Sequence, residues 1–296
     1  YLMGYVNTPG AGGETRKFAN VASMRSHGLE ATISSQNIRT KDFDWSTDLT
    51  YSYTKTKIKD VLSQANVIGL VYNSGSNIRK GYPHRSIFSI PFVGLNDEGI
   101  PQVINEKGEV TTTDINFQEY QNLGFLKYEG PTEPTMNGGL NNTLRYKNWR
   151  LNIFVTYSFG NKIRLDPTFS SSYSDMSAMP KEFKNRWVMP GDEKITSIPA
   201  IASVRQYYND TQLSFAYNSY NYSTERIADG GFIRLKDVSL TYDVPRSFLS
   251  KIGLSTAAIK LDATNLCLLY ADDKLNGQDP EFVNSGGVAT PLSKQF

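Results

Sequence analysis

Hydrophobic and polar residues alternate along much of the chain, most clearly in the segment Trp149–Phe159, WRLNIFVTYSF. Successive side chains of an extended chain point to opposite faces, so a period of two predicts a β-strand with one apolar and one polar face. The period alone does not tell whether the apolar face meets a protein core or lipid. That face comprises Trp149, Leu151, Ile153, Val155, Tyr157 and Phe159.

The same alternation recurs in several other segments. Residues 29–36 and 45–53 alternate on either side of the polar turn at residues 39–42, which predicts a hairpin. Further strands are predicted at residues 140–146, 232–244, 257–267 and in the opening stretch. No segment of comparable length carries an apolar stripe of helical period, although residues 246–252, after Pro245, could form one or two helical turns.

The predicted connections differ greatly in length. Residues 146–148 and 39–42 are tight turns, whereas residues 161–224 form a long loop with little periodicity. If residues 87–93 descend, turn at 96–99 and return through 101–104, every tight turn lies on one side and every long loop on the other. Short turns on one side and long loops on the other are typical of outer-membrane β-barrels.

Aromatic residues support a transmembrane barrel. Trp45 and Trp149 each follow a tight turn, and Tyr53 and Phe159 come eight and ten residues later. In a tilted strand these separations project to roughly 19 and 23 Å, close to the ~25 Å apolar band between two aromatic girdles. We therefore expect an all-β fold: an antiparallel transmembrane β-barrel segment of about eight strands, with long extracellular loops.

Composition narrows the alternatives. Hydrophobic residues make up 39% of the chain and the mean hydropathy is −0.42, with no apolar run long enough for a transmembrane helix. The 31 basic residues nearly balance the 29 acidic ones and form no cluster typical of nucleic-acid binding. We therefore expect no nucleic-acid partner. The only cysteine, Cys267, cannot form an internal disulfide and is interpreted as a small hydrophobic residue.

Five motifs in order resemble one family. The segments are NVASMRSHGLEATISSQNIRTKDFDW, PTMNGGLNNTLRYKNWRLNIFVTYSFGNK, RWVMPGDE, GFIRLKDVSLTYDVP, and LDATNL followed by DPE. Together they resemble the C-terminal part of SusC/RagA-type TonB-dependent outer-membrane transporters. Ala22 and Ser26 stand where the family pattern has Gly and Asn.

The resemblance implies that residues 1–296 are the C-terminal part of a barrel of about 22 strands, with the plug domain and the last strand absent. It also implies that the first residues belong to a strand whose partner lies upstream and that Phe296 is a truncation point. By the same resemblance we expect import of an oligosaccharide or peptide across the outer membrane of a Gram-negative bacterium. The implied partners are a SusD-like surface lipoprotein, TonB acting through the absent plug, and membrane lipid.

Two groups of residues are candidates for the site. Aromatic rings on loops suit sugar faces or peptide side chains, and the alternative is that they pack the loop against itself or against the lipoprotein. Polar strand residues are expected to face the lumen. The loop aromatics are Tyr173, Trp187, Tyr207, Tyr208, Tyr217, Tyr220 and Tyr222, of which Trp187, with Asp192, is expected to be structural; the lumen residues are Glu30, Asp48, Arg145, Lys260 and Asp262.

We predict no catalytic residues, no metal and no cofactor. His27 and His84 lack a ligand pattern, and Lys274 occupies a position where an EF-hand needs an oxygen ligand. Glu30 and Asp48 could suggest a β-rich glycoside hydrolase, and the apolar faces could instead pack on each other in a soluble β-sandwich carbohydrate-binding or adhesin-like module. The glycine-rich residues 9–13 and 137–139 lack the strand-to-helix context of a phosphate loop.

Overall fold

The computed structural model describes residues 2–7, 16–62, 65–72, 78–173, 178–210, 212–283 and 293–295. The predictions about residues 9–13 and Phe296 lie outside this part. No helix among the described residues has the length and apolar character needed to cross a membrane.

Strands dominate the secondary structure, and the helices are short. The helices are α1 (Val67–Tyr72), α2 (Val204–Asn209), α3 (Leu213–Asn221) and α4 (Arg246–Leu249), with 3₁₀ turns at Lys181–Asn185, Asp192–Lys194, Thr224–Arg226, Ser250–Ile252 and Asp273–Leu275. The strands are β1 (Leu2–Asn7), β2 (Arg16–Arg39), β3 (Phe43–Val61), β4 (Ser86–Ser89), β5 (Phe92–Leu95), β6 (Pro101–Ile104), β7 (Val110–Thr111), β8 (Lys127–Pro131), β9 (Met136–Tyr146), β10 (Trp149–Phe159), β11 (Lys162–Arg164), β12 (Ile227–Asp229), β13 (Phe232–Asp243) and β14 (Ala258–Tyr270).

Seven strands form one antiparallel sheet in the order β1-β2-β3-β9-β10-β13-β14, which we call the wall. The predicted all-β fold is confirmed, with seven wall strands in the described residues where about eight were expected. Tight turns join β2 to β3 and β9 to β10, and in the second turn Lys147 takes a positive φ of 53°. The predicted helical turns after Pro245 are α4 and the 3₁₀ turn Ser250–Ile252.

The register of the wall sorts its side chains into two faces. One row crosses six strands through paired residues that are all apolar, and a row on the opposite face crosses the same strands through residues that are all polar. On the apolar face the pairing runs Ile33, Leu49, Leu140, Val155, Leu235, Cys267; on the other face one row runs Gln36, Ser46, Thr143, Asn152, Ser239, Asp262.

The apolar face stays uncovered by the described chain. Leu29, at one end of its apolar row, is 63% exposed, and Leu261, at the other end of the wall, is 68% exposed. One polar group on this face is satisfied within the wall, because Asn142 Oδ1 accepts hydrogen bonds from Trp45 Nε1 at 3.0 Å and from Thr47 Oγ1 at 2.7 Å. A soluble β-sandwich requires a second layer over this face, and the described residues supply none.

The hydrophobic core lies beside the wall, in the long connections between β3 and β9 and between β10 and β13. We call the described residues of these connections, within 62–135 and 160–231, the loop body. Backbone hydrogen bonds join the connections: Ile90 N donates to Tyr222 O, and Thr224 N donates to Ile90 O, both at 3.0 Å. The core residues include Val67, Leu70, Val71, Phe88, Ile90, Val103, Phe117 and Leu123 with Tyr222, and Ile100 with Phe169, Leu213, Ala216, Tyr217 and Tyr220.

The expected membrane crossing at residues 87–104 was wrong. The turn and hairpin are present, since β5 pairs with β6, but they belong to a separate three-stranded sheet with β7. Strands of four residues are much shorter than the ~9–11 residues that a crossing requires. β3 instead pairs directly with β9, so residues 62–135 form a second long connection that the sequence pattern did not indicate.

Candidate functional site

All five predicted lumen residues lie on the polar face of the wall. Asp48 pairs with Ser34 and Asn141, and Arg145 pairs with Asp44 and Arg150. Glu30 pairs with Ser52, four residues along β3 from Asp48, which separates the two acidic residues by roughly 13 Å along the strands. A glycosidase carboxylate pair needs roughly 5–10 Å, so this placement does not support hydrolysis. Lys260 and Asp262 form an exposed ion pair at 3.1 Å.

A recess of about 630 Å³ opens where the polar face of β9, β10 and β13 meets residues 280–283. Its walls combine polar and apolar groups, with a lysine on one side and a carboxylate on another. Lys236 lines the recess and has no hydrogen-bond or ion-pair partner among the described residues. The polar and charged residues that line the recess include Asn137, Thr156, Ser158, Asn161, Lys236 and Glu281.

A β-bulge explains how Lys236 enters this recess. Leu235 pairs with Val155 and Asp237 pairs with Phe154, so Lys236 is an extra residue on β13 with no partner on β10. An extra residue shifts the alternation locally and re-aims side chains. The bulge thus adds a cation to the polar side of the wall.

Two of the sequence motifs meet at the edge of the recess. Arg234 of the β13 motif is buried and its Nη2 donates to both carboxylate oxygens of Asp279 at 2.6 Å, with Glu281 at 3.1 Å. Phe232 and Phe282 lie within cation–π distance of the guanidinium. Removing one partner of a buried ion pair leaves an uncompensated charge, so this contact holds residues 279–283 against the wall.

The two carboxylates of the RWVMPGDE motif hold the motif's own backbone and side chains, and Trp187 N links the motif to Ile198 O at 3.0 Å. Asp192 Oδ2 accepts hydrogen bonds from the backbone N–H groups of Val188 and Met189, both at 3.0 Å. Glu193 Oε2 accepts from Trp187 Nε1 at 3.2 Å and from Gly191 N at 2.7 Å. Each motif carboxylate is thus engaged by groups of its own loop; the structural role of Trp187 and Asp192 stays a prediction.

The predicted loop aromatics divide into buried and exposed rings. Tyr217 and Tyr220 are each 1% exposed, and Tyr217 Oη donates to Ala200 O at 2.7 Å. Tyr222 is also buried, and the Tyr173 ring packs against Phe183 with centroids 5.4 Å apart. These contacts match the alternative in which rings pack the loop against itself. Tyr207 and Tyr208 on α2 remain exposed.

Burial also shifts the protonation of groups in the loop body. Desolvation raises the pKa of Tyr217 and of Tyr220, because the phenolate would lose its hydration. Desolvation lowers the pKa of Arg164 to about 10. Arg164 Nη2 donates to Phe88 O at 2.6 Å and to Ser89 Oγ at 3.1 Å, which ties β11 to β4 and so joins the two long connections.

The acidic stretch near residue 272 uses its first carboxylate in backbone hydrogen bonds. Asp272 Oδ2 accepts from Asp229 N at 2.6 Å, and its Oδ1 accepts from Lys274 N at 2.9 Å. This carboxylate caps the 3₁₀ turn Asp273–Leu275. Among the described residues, no three His, Cys, Asp or Glu side chains are placed to hold a metal ion.

The known proteins that resemble this chain in sequence carry the same kind of name. No family model matches the chain. TonB-dependent receptor P3 of Formosa agariphila is 25% identical over 305 residues, which cover 92% of this chain and 27% of that protein. TonB-dependent receptor P26 of the same organism is 27% identical over 297 residues, covering 95% of this chain and 28% of that protein. The chain thus spans less than a third of the length of these relatives.

Solved structures give the same fold. The RagAB peptide importer in its "open-open" state matches with a TM-score of 0.74 and 21% identity, over 99% of this chain and 30% of that chain. The structure titled "RagAB peptide transporter" matches with a TM-score of 0.69, 21% identity, and coverage of 96% and 29%. All these relatives are named as receptors or transporters, and none as an enzyme.

Proposed function

We propose that this chain forms part of the barrel wall and the extracellular loop body of a TonB-dependent importer in the outer membrane of a Gram-negative bacterium. The observation that carries the proposal is the two-faced wall. Its apolar rows cross six strands without a covering layer, while the opposite face carries the polar rows and the recess. A strand wall with lipid on one side and water on the other requires this division.

The nutrient is an oligosaccharide or a peptide, and the mixed lining of the recess favours a peptide. Charged groups at Lys236 and Glu281 lie beside apolar Ile163 and Val283, a combination that suits peptide backbones and side chains more than sugar hydroxyls alone. The name of the RagAB peptide importer supports the same class of cargo. Of the predicted loop aromatics, Tyr207 and Tyr208 are exposed and so are available for contact with substrate.

The transport cycle needs parts beyond this chain. A SusD-like surface lipoprotein would close over the loop body, and TonB would act through a plug inside the barrel. The described residues contribute fixed elements to that cycle: the wall, the recess and the packed loop body. Their role is to hold the substrate chamber in shape, and no bond is made or broken in the process.

The decisive experiment measures what surrounds each face of the wall. Cys267 lies on the apolar face in the row of Val155 and Leu235, whereas Asp262 lies on the polar face of the same strand. A spin label would be attached to the full-length protein in lipid nanodiscs, either at Cys267 or at Asp262→Cys in a Cys267→Ser background. We expect the label at position 267 to be relaxed by oxygen, which dissolves in lipid, and the label at 262 by a water-soluble nickel complex.

Equal access of the nickel complex to both labels would refute the membrane wall and favour a soluble module. The transport part is tested separately by uptake. Cells that carry the gene should accumulate labelled peptides in a TonB-dependent manner, and cells without it should not. Uptake of oligosaccharides but not of peptides would keep the importer and change its cargo.

A further inference from the structure

β2 and β3 continue outward beyond the apolar rows of the wall, and their outer ends are basic. β2 has 24 residues and β3 has 19, about twice what a membrane crossing needs. On the face that carries Leu29 and Tyr53, the next paired positions are His27 with Lys55 and then Arg25 with Lys57. We call these four side chains the basic block.

The charge is confined to this one face. On the opposite face of the same strand segments, Gly28 pairs with Thr54 and Ser26 pairs with Thr56. Further outward on that opposite face, Ile58 is buried and its backbone bonds to Tyr82, on the side of the loop body. The basic block therefore points away from the loop body, in the same direction as the apolar rows.

Nothing in the described chain neutralises the basic block. Arg25, Lys55 and Lys57 are exposed and form no ion pair with any described residue; the nearest acidic side chain along β3, Asp60, pairs with Lys80 at 3.1 Å. Arg25 and Lys57 stand directly opposite each other on neighbouring strands. Like charges on directly opposed residues destabilise a sheet. A negatively charged ligand bound to the basic block would therefore reduce this repulsion and stabilise the two strands.

The height of the basic block matches a lipid headgroup layer. Lys55 is two residues and Lys57 four residues beyond Tyr53, which places them roughly 5 and 9 Å farther out along a strand tilted near 45°. The headgroup region adds about 5–8 Å to each side of the hydrocarbon core. Lysine and arginine side chains reach several ångströms further and can bend toward phosphate groups.

We propose that the basic block binds the phosphate groups of anionic lipids in the outer leaflet, and this inference rests on the membrane placement of the wall in the proposed function. Continuity with the apolar face selects a lipid as the source of phosphate, because one molecule can then place its chains on the apolar rows and its headgroup on the cations. Each cation near an anionic surface strengthens binding by about fivefold, so three together contribute roughly a hundredfold.

The test uses the full-length protein in nanodiscs of phosphatidylcholine, alone or mixed with phosphatidylglycerol. We expect the anionic lipid to raise the melting temperature of the wild type and to co-purify with it, an effect that added salt weakens. The triple variant Arg25→Gln, Lys55→Gln, Lys57→Gln should lose this shift. A matched variant that removes three cations near the opposite ends of the strands, Lys41→Gln, Lys147→Gln, Lys251→Gln, should retain it.

Further arms separate the possible outcomes. Arg25→Lys with Lys57→Arg keeps the charge and should bind anionic lipid like the wild type. Equal stabilisation by inorganic phosphate would assign the basic block to a soluble anion, and loss of a co-purifying acidic protein with unchanged lipid preference would assign it to a protein partner; either result overturns the proposal. If the wall inserts but shows no lipid preference, only this inference fails, whereas failed insertion refutes the proposed function.

Discussion

The wall and the loop body use apolar residues in opposite ways. In the wall, Leu29 and Leu261 lie on long alternating strands and remain mostly exposed, so their burial has to come from a medium outside the chain. In the loop body, Phe88 and Tyr217 belong to short elements and are almost completely buried by other residues of the same chain. The loop body is thus built like a small globular domain, whereas the wall depends on its surroundings.

This difference has a functional consequence. In the importer proposed above, a loop body with its own core keeps its shape while it faces water and substrate, even though its elements are only a few residues long. In the same proposed importer, the wall gains its stability from lipid and from closure with neighbouring strands. A mutation in one region should therefore change the stability of that region and leave the stability of the other region unchanged.

The largest effect is expected for Phe88→Ala. This ring is 0% exposed and packs against Tyr82 and Tyr128, with centroids 4.9 and 5.6 Å away. The substitution should cost about 3–5 kcal/mol because it removes a large buried ring and leaves a cavity. Hydrogen exchange on the full-length protein in nanodiscs should show lost protection in the loop body and unchanged protection in the wall.

The matched control is Phe248→Ala, since Phe248 is exposed beyond the opposite end of the wall. It should change stability by less than about 0.5 kcal/mol. If Phe88→Ala lowers protection in β9 and β10 as much as in the loop body, the two regions are one cooperative unit and the comparison fails.

The sequence pattern predicted the wall far better than the loop body, and the reason is physical. A period of two is a local property, so the faces of β3, β9, β10 and β14, together with Glu30 and Asp48, follow from residue parity. The core that joins Phe88 and Ile90 to Tyr222 depends on contacts more than 130 residues apart in the chain, for which no local period exists. Of the hairpin predicted from residues 87–93 and 101–104, the turn and the pairing of β5 with β6 form, but residues 86–89 pair with β8 and none of these strands belongs to the wall.

The site shows the same limit on a smaller scale. Lys236 is absent from the predicted lumen residues. Residue parity assigns side chains to the two faces only while the alternation is unbroken, and the bulge between Leu235 and Asp237 breaks it. Arg234 and the DPE segment were each part of a motif, but no pattern indicated that they would meet. Tyr217 and Tyr220 are predicted together with Tyr207 and Tyr208 as candidates for substrate contact, because position on a long loop does not distinguish a packed tyrosine from an exposed one.

The next effect in size concerns the wall and its medium. Leu140 lies between Leu49 and Val155 on the apolar face, while the next residue, Asn141, lies on the polar face beside Asp48. Leu140→Arg should destabilise the full-length protein in lipid by about 2–4 kcal/mol, whereas Asn141→Arg should have little effect. Urea unfolding from lipid vesicles measures both. Equal costs would mean that the two faces meet similar surroundings.

A smaller effect is expected for Gly138→Ala, within the same strand. A Cβ at this position would overlap the carbonyl oxygen of Thr50 and the ring of Tyr157, whose hydroxyl donates to Thr50 O at 3.0 Å. The close approach of the strands should make the substitution cost about 1–3 kcal/mol in the same urea assay. Gly124→Ala in the loop body is the control, because a Cβ there would meet only Asn122 Oδ1, at an ordinary contact distance of 3.9 Å. A neutral Gly138→Ala would show that the tyrosine can move away without loss.

The smallest effect, for Tyr217→Phe, depends on pH. At neutral pH, loss of the hydrogen bond to Ala200 O should destabilise the loop body by about 1 kcal/mol. Burial raises the pKa of Tyr217 in the folded state, whereas the unfolded tyrosine ionises near its ordinary pKa of about 10. Above that pH the unfolded wild type releases a proton that the folded protein retains, so wild-type stability falls by up to about 1.4 kcal/mol per pH unit from this residue. The phenylalanine variant cannot lose stability in this way, and the contributions of other titrating groups cancel when the two proteins are compared.

The stability curves of the two proteins, measured by hydrogen exchange in the loop body, should therefore converge and meet at about pH 11. Tyr208→Phe, at an exposed position, should give a constant difference over the same range. A constant difference for Tyr217→Phe as well would mean that the hydroxyl is accessible to water and that this part of the loop body is not a closed core.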